Sequence, residues 1–145
     1  MQTTNGVSGH TFAVATYQLC YNCHSDPAGL VQFVTNAIAG QIQQTQSYLN
    51  LWATTVAPAS TNAALAAIAM QYGALTWEYT TPGTLSTGAA GPNTAQQAQI
   101  PNDIKMARFD LYLVLYDGSY GVHNGPYDIE LLQAAQSWVE SELYQ

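Results

Sequence analysis

Apolar residues recur at helical spacing over a long stretch near the start of the chain. The stretch opens with Asp26-Pro27, in which Asp26 suits a helix cap and Pro27 suits the first turn. It continues to about Thr54, and Pro58 then breaks the pattern. The apolar positions are Leu30, Val34, Ile38, Ile42, Leu49 and Trp52. This spacing predicts one long amphipathic helix, whose polar face carries uncharged glutamines.

A second helix and a long loop are predicted next. The helix begins at a cap provided by Ser60 or Thr61 and fades near Tyr79. Its apolar face consists of Leu65, Ile68, Tyr72 and Leu75. Residues 80–101 are rich in Thr, Gly, Pro, Ala and Gln, so they predict a loop. A loop of this length in a small domain is usually functional or mobile.

Two more amphipathic helices complete the pattern. The third follows Pro101, is capped by Asn102 or Asp103, and ends at Asp117-Gly118. The fourth covers about residues 126–143. The predicted inner positions are Ile104, Ala107, Arg108, Leu111 and Leu115 in the third helix, and Ile129, Leu132, Ala135, Val139 and Leu143 in the fourth. Four such helices with short or medium connections predict an all-α, four-helix bundle-like single domain.

Composition excludes several classes of function. A chain of 145 residues suits one domain. Its two basic residues cannot form a phosphate-binding surface, which argues against nucleic-acid binding. It has no run of about 18 apolar residues, so we expect no membrane span. Charged residues make up 8% of the chain, against about 25% in a typical soluble domain. A surface with so few charged residues suits an exported protein, including one that works in acid.

The two cysteines carry the strongest chemical signal. They stand in Cys20-Tyr21-Asn22-Cys23-His24, which is the C-x-x-C-H signature of haem attachment. Two thiols at this spacing can each add to one vinyl group of a single haem, and His24 then brings its imidazole to the iron. Zinc would need a fourth ligand from elsewhere. A thioredoxin-like dithiol lacks the obligatory His and sits in a βαβ pattern, which we do not see.

The motif predicts one covalent haem c and an exported protein. Haem attachment in c-type cytochromes takes place outside the cytoplasm, so we expect a periplasmic or extracellular location. The N-terminal residues lack the basic start and apolar region of a signal peptide, so we expect the chain to be mature or trimmed. On this interpretation, residues 1–26 form a haem-attachment segment and residues 27–145 form the helical bundle.

The ligand on the opposite side of the iron is left open between several candidates. His123 lies in a predicted turn between two helices, flanked by Gly121 and Gly125, and is the favoured distal ligand. His10 precedes the haem motif and is the alternative. Met70 and Met106 lie on or beside helix stripes, where methionine more often fills a core than binds iron. The sixth position can also be empty.

Two segments resemble multihaem cytochromes c. The stretch from Ala107-Arg108-Phe109-Asp110 through Asp117-Gly118-Ser119-Tyr120-Gly121-Val122-His123-Asn124 resembles the final helical hairpin of the nitrite-reductase-like family. Gly9-His10-Thr11-Phe12 ahead of the haem motif resembles the same proteins. The resemblance implies that His123 and His10 are axial ligands. This chain has one C-x-x-C-H and lacks the family's Lys-ligated haem motif, so nitrite reduction does not carry over.

These features predict an electron-transfer protein. A bis-His haem has no open coordination site, so we expect a carrier that exchanges electrons with redox partner proteins, and no enzyme activity. Together with the low charge, this resembles the periplasmic carriers of acid-living iron oxidisers. Two alternatives stay open. One is a subunit of an extracellular cytochrome assembly, and hence a homo-oligomer. The other is a haem enzyme or gas-binding protein with an open sixth site.

Overall fold

All regular secondary structure in the described part of the chain is helical. The computed structural model describes residues 17–18, 20–79, 91–122 and 124–144. The α-helices are α1 (Pro27–Leu51), α2 (Ala63–Tyr72), α3 (Thr94–Gln97), α4 (Asn102–Asp117) and α5 (Gly125–Leu143). The predicted all-α, bundle-like single domain is confirmed, and α1, α2, α4 and α5 correspond to its four helices. None of the described helices is long and apolar enough to cross a membrane.

The first helix begins as predicted but ends in a different way. The Asp26 carboxylate accepts a hydrogen bond from the Gly29 N–H at 2.9 Å, and Pro27 occupies the first turn. At its end, α1 widens into a π-helical turn, Trp52–Val56, and then a 3₁₀ turn, Ala57–Ala59. Pro58 lies in that 3₁₀ turn. Its ring crowds the carbonyl four residues earlier and it has no N–H, so regular α-helical bonding cannot continue.

The second helix has a different cap from the predicted one. The Asn62 side chain, rather than Ser60 or Thr61, accepts from the backbone N–H groups of Ala64 and Leu65 at 3.1 and 3.4 Å. The Ser60 hydroxyl instead accepts from the N–H of Asn62. The helix ends at Tyr72, about two turns before the predicted end near Tyr79, and a 3₁₀ turn over residues 73–76 follows it.

The predicted loop over residues 80–101 contains a short helix. A capping box begins α3, in which Asn93 and Gln96 each bond the other's backbone N–H at 3.0 Å. Residues 80–90 lie outside the described part of the chain. The cap position of α4 is Pro101, rather than Asn102 or Asp103, and no side chain bonds there. Pro101 fixes its own φ angle just before the helix and has no N–H group that would need a partner. These two properties favour a helix start without a side-chain cap.

The long helices have a defined relative direction. Gly125, at the start of α5, lies against Val34 in the first half of α1. Further along, the Gln136 amide donates to the Gln41 Oε1 at 2.9 Å and the Thr45 Oγ1 at 3.1 Å. Helices α1 and α5 therefore run parallel. Helix α4 is joined to α5 by a short turn and packs against it closely, so it runs antiparallel to both.

One apolar core joins these helices. Its fully buried large side chains include Ile38, Leu49, Trp52, Ile100, Ile104, Leu111, Leu132, Val114 and Val139. Leu30, which was predicted on the inner face of α1, is instead 46% exposed. The first turn of α1 therefore extends beyond the core.

The core also contains a buried cation. The Arg108 guanidinium carbon lies 4.3 Å from the ring centroid of Tyr79 and 4.4 Å from that of Tyr112. One of its amino groups donates to the Tyr79 carbonyl oxygen at 2.9 Å. The two rings therefore hold the charge by cation–π contacts. Burial raises the pKa of the Tyr79 hydroxyl, and the positive Arg108 opposes that rise.

Candidate functional site

The two cysteines and the following histidine form one helical turn before α1. Cys20–Asn22 is a 3₁₀ turn. The N–H groups of Cys23 and His24 both donate to the Cys20 carbonyl oxygen, at 3.1 and 2.9 Å. Side chains three residues apart eclipse one another in a 3₁₀ turn, and those four apart are neighbours in an α-turn. Cys20, Cys23 and His24 therefore occupy positions i, i+3 and i+4 of the turn, whose backbone positions share one side.

This side of the turn is accessible to a ligand. Cys23 and His24 are exposed, Cys20 is half-buried, and both thiols are free of disulfides. Within the described ranges, no three His, Cys, Asp or Glu side chains are grouped so as to bind a metal ion.

The turn between α4 and α5 has a backbone shape that depends on glycine. Gly118, Tyr120 and Gly121 have positive φ angles of 67°, 49° and 85°. A Cβ atom on Gly121 would lie 2.8 Å from a side-chain carbon of both Val34 and Ile38. Only a residue without a side chain fits so close to α1. The turn is therefore held against the first half of α1.

The C-x-x-C-H motif and this turn consequently lie near the same end of α1. Val34 is seven residues beyond Pro27, a rise of about 10 Å along the helix. The chain enters α1 directly from Cys20-His24, so the α4–α5 turn packs within a few helical turns of the motif. The predicted distal ligand His123 belongs to this turn by sequence, but it lies outside the described residues. His10, the alternative, also lies outside them.

Several apolar side chains in the segments near this end are exposed. They are Tyr21 (57% exposed), Leu30 (46%), Phe33 (72%), Tyr120 (41%) and Tyr127 (51%). Large apolar groups left in solvent mark binding surfaces when they occur together. A haem has two broad apolar faces, so this surface suits a haem joined to Cys20 and Cys23. Sequence periodicity missed it because it assigned Leu30 to the core. The sequence did contain an indication of it. Leu30, Val31, Phe33 and Val34 are all apolar, and four apolar residues within five cannot all lie on one face of a helix.

The two candidate methionines lie away from this end. Met70 is on α2, which packs against the turns that follow α1. Met106 is near the start of α4, where the neighbouring Asp103 accepts a hydrogen bond from Ser141 at the end of α5. The expectation that both fill the core is wrong, because Met70 is 74% and Met106 45% exposed. Neither position favours a methionine ligand.

A groove of about 630 Å³ lies at the opposite end of α1 from the motif. Trp52, Val56, Leu65 and Leu143 supply much of its apolar lining. Its polar groups largely serve the backbone: the Thr55 hydroxyl, for example, donates to the Leu51 carbonyl oxygen at 2.6 Å.

Comparison of the chain with protein-family models, with curated proteins and with solved structures finds no match.

Proposed function

We propose that this protein is an exported electron carrier with one covalently attached haem c. The observation that supports the proposal is the C-x-x-C-H spacing of Cys20, Cys23 and His24 within a single helical turn before α1. Cys20 and Cys23 would each form a thioether by adding sulfur to one carbon of a vinyl group and hydrogen to the other. The His24 imidazole would bind the iron. When bound, the haem supplies one-electron transfer.

The rest of this end of the molecule fits the needs of such a site. Phe33 and Leu30 follow the motif within the first two turns of α1, and Tyr120 belongs to the turn packed beside them. Their apolar surface would cover a haem face and exclude water. Excluding water and fixing the axial ligands are the protein's main means of setting a haem potential.

We propose His123 as the second axial ligand, with His10 as the alternative. Support for His123 comes from its chain neighbours. Gly121 is wedged against α1, and Gly125 also lies close to Val34. His123 stands between these two glycines in the sequence, and both glycines lie close to the first half of α1, which follows the motif. Two His ligands would leave no coordination site for a substrate, so the protein would exchange electrons with redox partner proteins rather than catalyse a reaction.

The proposed location is outside the cytoplasm, in the periplasm or beyond it. Covalent haem attachment of this type takes place there, and the low charge of the chain suits an acidic medium such as that of iron oxidisers. Low charge density also makes long-range attraction to a charged partner weak. We therefore expect electron exchange whose rate changes little with ionic strength.

The haem itself is tested by mass. The chain is expressed in a host that matures c-type cytochromes, and intact mass is measured for the wild type and for Cys20→Ser/Cys23→Ser. We expect the wild type alone to carry the added mass of one haem. A wild-type mass equal to that of the bare polypeptide would overturn the proposal.

The ligands are tested by absorption spectra of the oxidised and reduced protein. We expect a low-spin spectrum that carbon monoxide and cyanide leave unchanged. His123→Ala should become high-spin, while His10→Ala should not; the opposite result would assign the ligand to His10. A wild-type spectrum that shifts with carbon monoxide would favour the gas-binding or enzymatic alternative.

A further inference from the structure

The connection between the C-x-x-C-H motif and α1 is a single residue long. On one side of it, the N–H of His24 donates to the Cys20 carbonyl oxygen at 2.9 Å. On the other side, the carbonyl oxygen of Asp26 accepts from the Leu30 N–H at 3.1 Å. Only Ser25 stands between these two bonded units. The angle at which the motif turn meets α1 therefore depends on the backbone of very few residues, and Asp26 is the last of them before the helix.

The Asp26 side chain holds its own backbone in place at this connection. The φ and ψ angles of Asp26 are −141° and 77°, outside the helical region, and its Oδ1 atom accepts from the Gly29 N–H at 2.9 Å. Pro27 follows, and its ring restricts the φ angle of the first helical residue. Without the carboxylate, an N–H group in the first turn of α1 would lose its partner and that turn would open more readily. The motif turn would then move relative to the rest of α1.

Gly29 leaves room for this carboxylate. A Cβ atom on Gly29 would overlap Asp26 Oδ2 and would lie 2.9 Å from Asp26 Cγ. Gly29 has no positive φ angle that would itself require glycine, and glycine weakens a helix relative to alanine. The close approach of the Asp26 carboxylate thus gives the physical reason for a glycine at this position. By contrast, Gly40 on the same helix has nothing within 4 Å of an added Cβ.

We propose that Asp26 is a positioning residue of the candidate haem site and that Gly29 is required for it to act. By capping α1, Asp26 holds the motif turn, and with it the iron ligand His24, at a fixed angle to this helix. The first turns of the helix carry Leu30 and Phe33, which are 46% and 72% exposed and would cover the haem. The inference rests on the proposed function, because it assumes a covalently attached haem.

The test compares variants of the full chain that carry haem, made in a host that matures c-type cytochromes. Asp26→Ala and Asp26→Asn remove the same charge, but only asparagine can still cap the helix. Circular dichroism in the Soret region reports how the haem lies against the protein, and the midpoint potential responds to the access of water. We expect Asp26→Asn to keep the Soret signal of the wild type and Asp26→Ala to lose most of it. The midpoint potential of Asp26→Ala should lie below that of Asp26→Asn, because water favours the oxidised, more positively charged iron.

Two further comparisons separate positioning from a general loss of stability. Gly29→Ala should reduce the Soret signal and lower the midpoint potential, as Asp26→Ala does, whereas Gly40→Ala should change neither. Asn62→Ala removes the cap of α2, beside the groove at the opposite end of α1 from the motif. It should lower the Tm about as much as Asp26→Ala does and leave both haem measurements unchanged.

Intact mass is measured first, because it separates two kinds of failure. A wild type without the added mass of one haem would overturn the proposed function and this inference with it. If the wild type carries haem, equal Soret signals and potentials for Asp26→Ala and Asp26→Asn would overturn the inference alone. An effect of Asn62→Ala on the haem as large as that of Asp26→Ala would do the same. Should Asp26→Ala not fold, the comparison of Gly29→Ala with Gly40→Ala decides: equal haem measurements for these two would overturn the inference.

Discussion

Gly121 packs so closely on α1 that the turn beside the candidate site depends on its lack of a side chain. Its φ angle of 85° is unfavourable for other residues, and an added Cβ would collide with Val34 and Ile38. We expect Gly121→Ala to lower the free energy of unfolding by about 1–3 kcal/mol, because it combines backbone strain with a clash. Urea denaturation followed by circular dichroism measures the change.

Gly40 supplies the matched control. It lies on the exposed side of α1, and an added Cβ there would meet nothing within 4 Å. Gly40→Ala should raise the free energy of unfolding by about 0.5–1 kcal/mol, since alanine favours a helix interior over glycine. Equal effects of the two substitutions would contradict the tight packing of the α4–α5 turn on α1.

Asp110 gives a prediction that depends on pH. Its side chain is buried in α4, and desolvation raises the pKa of its carboxyl group. Because the pKa is higher in the folded than in the unfolded state, the ionised group destabilises the fold at neutral pH. That loss disappears as the pH falls below the unfolded-state pKa of about 3.9. Asp110→Asn should therefore raise the Tm at pH 7, and the gain should vanish near pH 3.

The control for this experiment is Glu130→Gln, which changes an exposed carboxylate on α5. It should alter the Tm little at either pH. A stabilisation by Asp110→Asn that is as large at pH 3 as at pH 7 would show that desolvation of the charge is not its cause.

At the scale of the helix, the residue that caps α2 differs from the one expected from the sequence. Asn62 bonds two backbone N–H groups, whereas the neighbouring Thr61 is an exposed residue before the helix. We expect Asn62→Ala to lower the free energy of unfolding by about 1 kcal/mol and Thr61→Ala to change it by less than 0.5 kcal/mol. Thermal denaturation of the two variants decides between the two caps.

The helices themselves could be predicted more reliably than their ends. Periodicity located the long helices because most of their apolar faces meet one core. Ser60, Thr61 and Asn62 all have side chains that can cap a helix, so the sequence alone did not select one. The π-helical turn at Trp52–Val56 depends on how Pro58 is accommodated against the core. The capping box of α3 was readable as Asn-x-x-Gln, but the surrounding loop composition hid it.

At the scale of the whole molecule, the scarcity of charge predicts tolerance of acid. Acid usually unfolds proteins by protonating paired carboxylates and leaving many cations to repel one another. This chain has nine acidic residues, two Lys or Arg and three His. Its side chains therefore carry about five positive charges when all carboxylates are protonated. We expect the far-ultraviolet circular dichroism at pH 3 to stay near its value at pH 7; cooperative unfolding above pH 4 would contradict this.

The candidate site was partly predictable for a physical reason. Cys20, Cys23 and His24 are neighbours in sequence, so one local turn contains all three residues. The closeness of the α4–α5 turn to this motif depends instead on the parallel packing of α1 and α5, and helical periodicity does not specify packing direction. The exposed residue Phe33 could be found only once the core had been located.

The position of Arg108 has a consequence for proteolysis. Trypsin cleaves after lysine and arginine, and this chain offers only Lys105 and Arg108. Both lie in α4, and Arg108 is enclosed by Tyr79 and Tyr112. A protease cannot cut a packed helix until it opens, and opening α4 would disrupt most of the core. The rate of tryptic cleavage of the native protein thus measures the opening of α4 together with the core it packs on, since no residue outside α4 is a cleavage site.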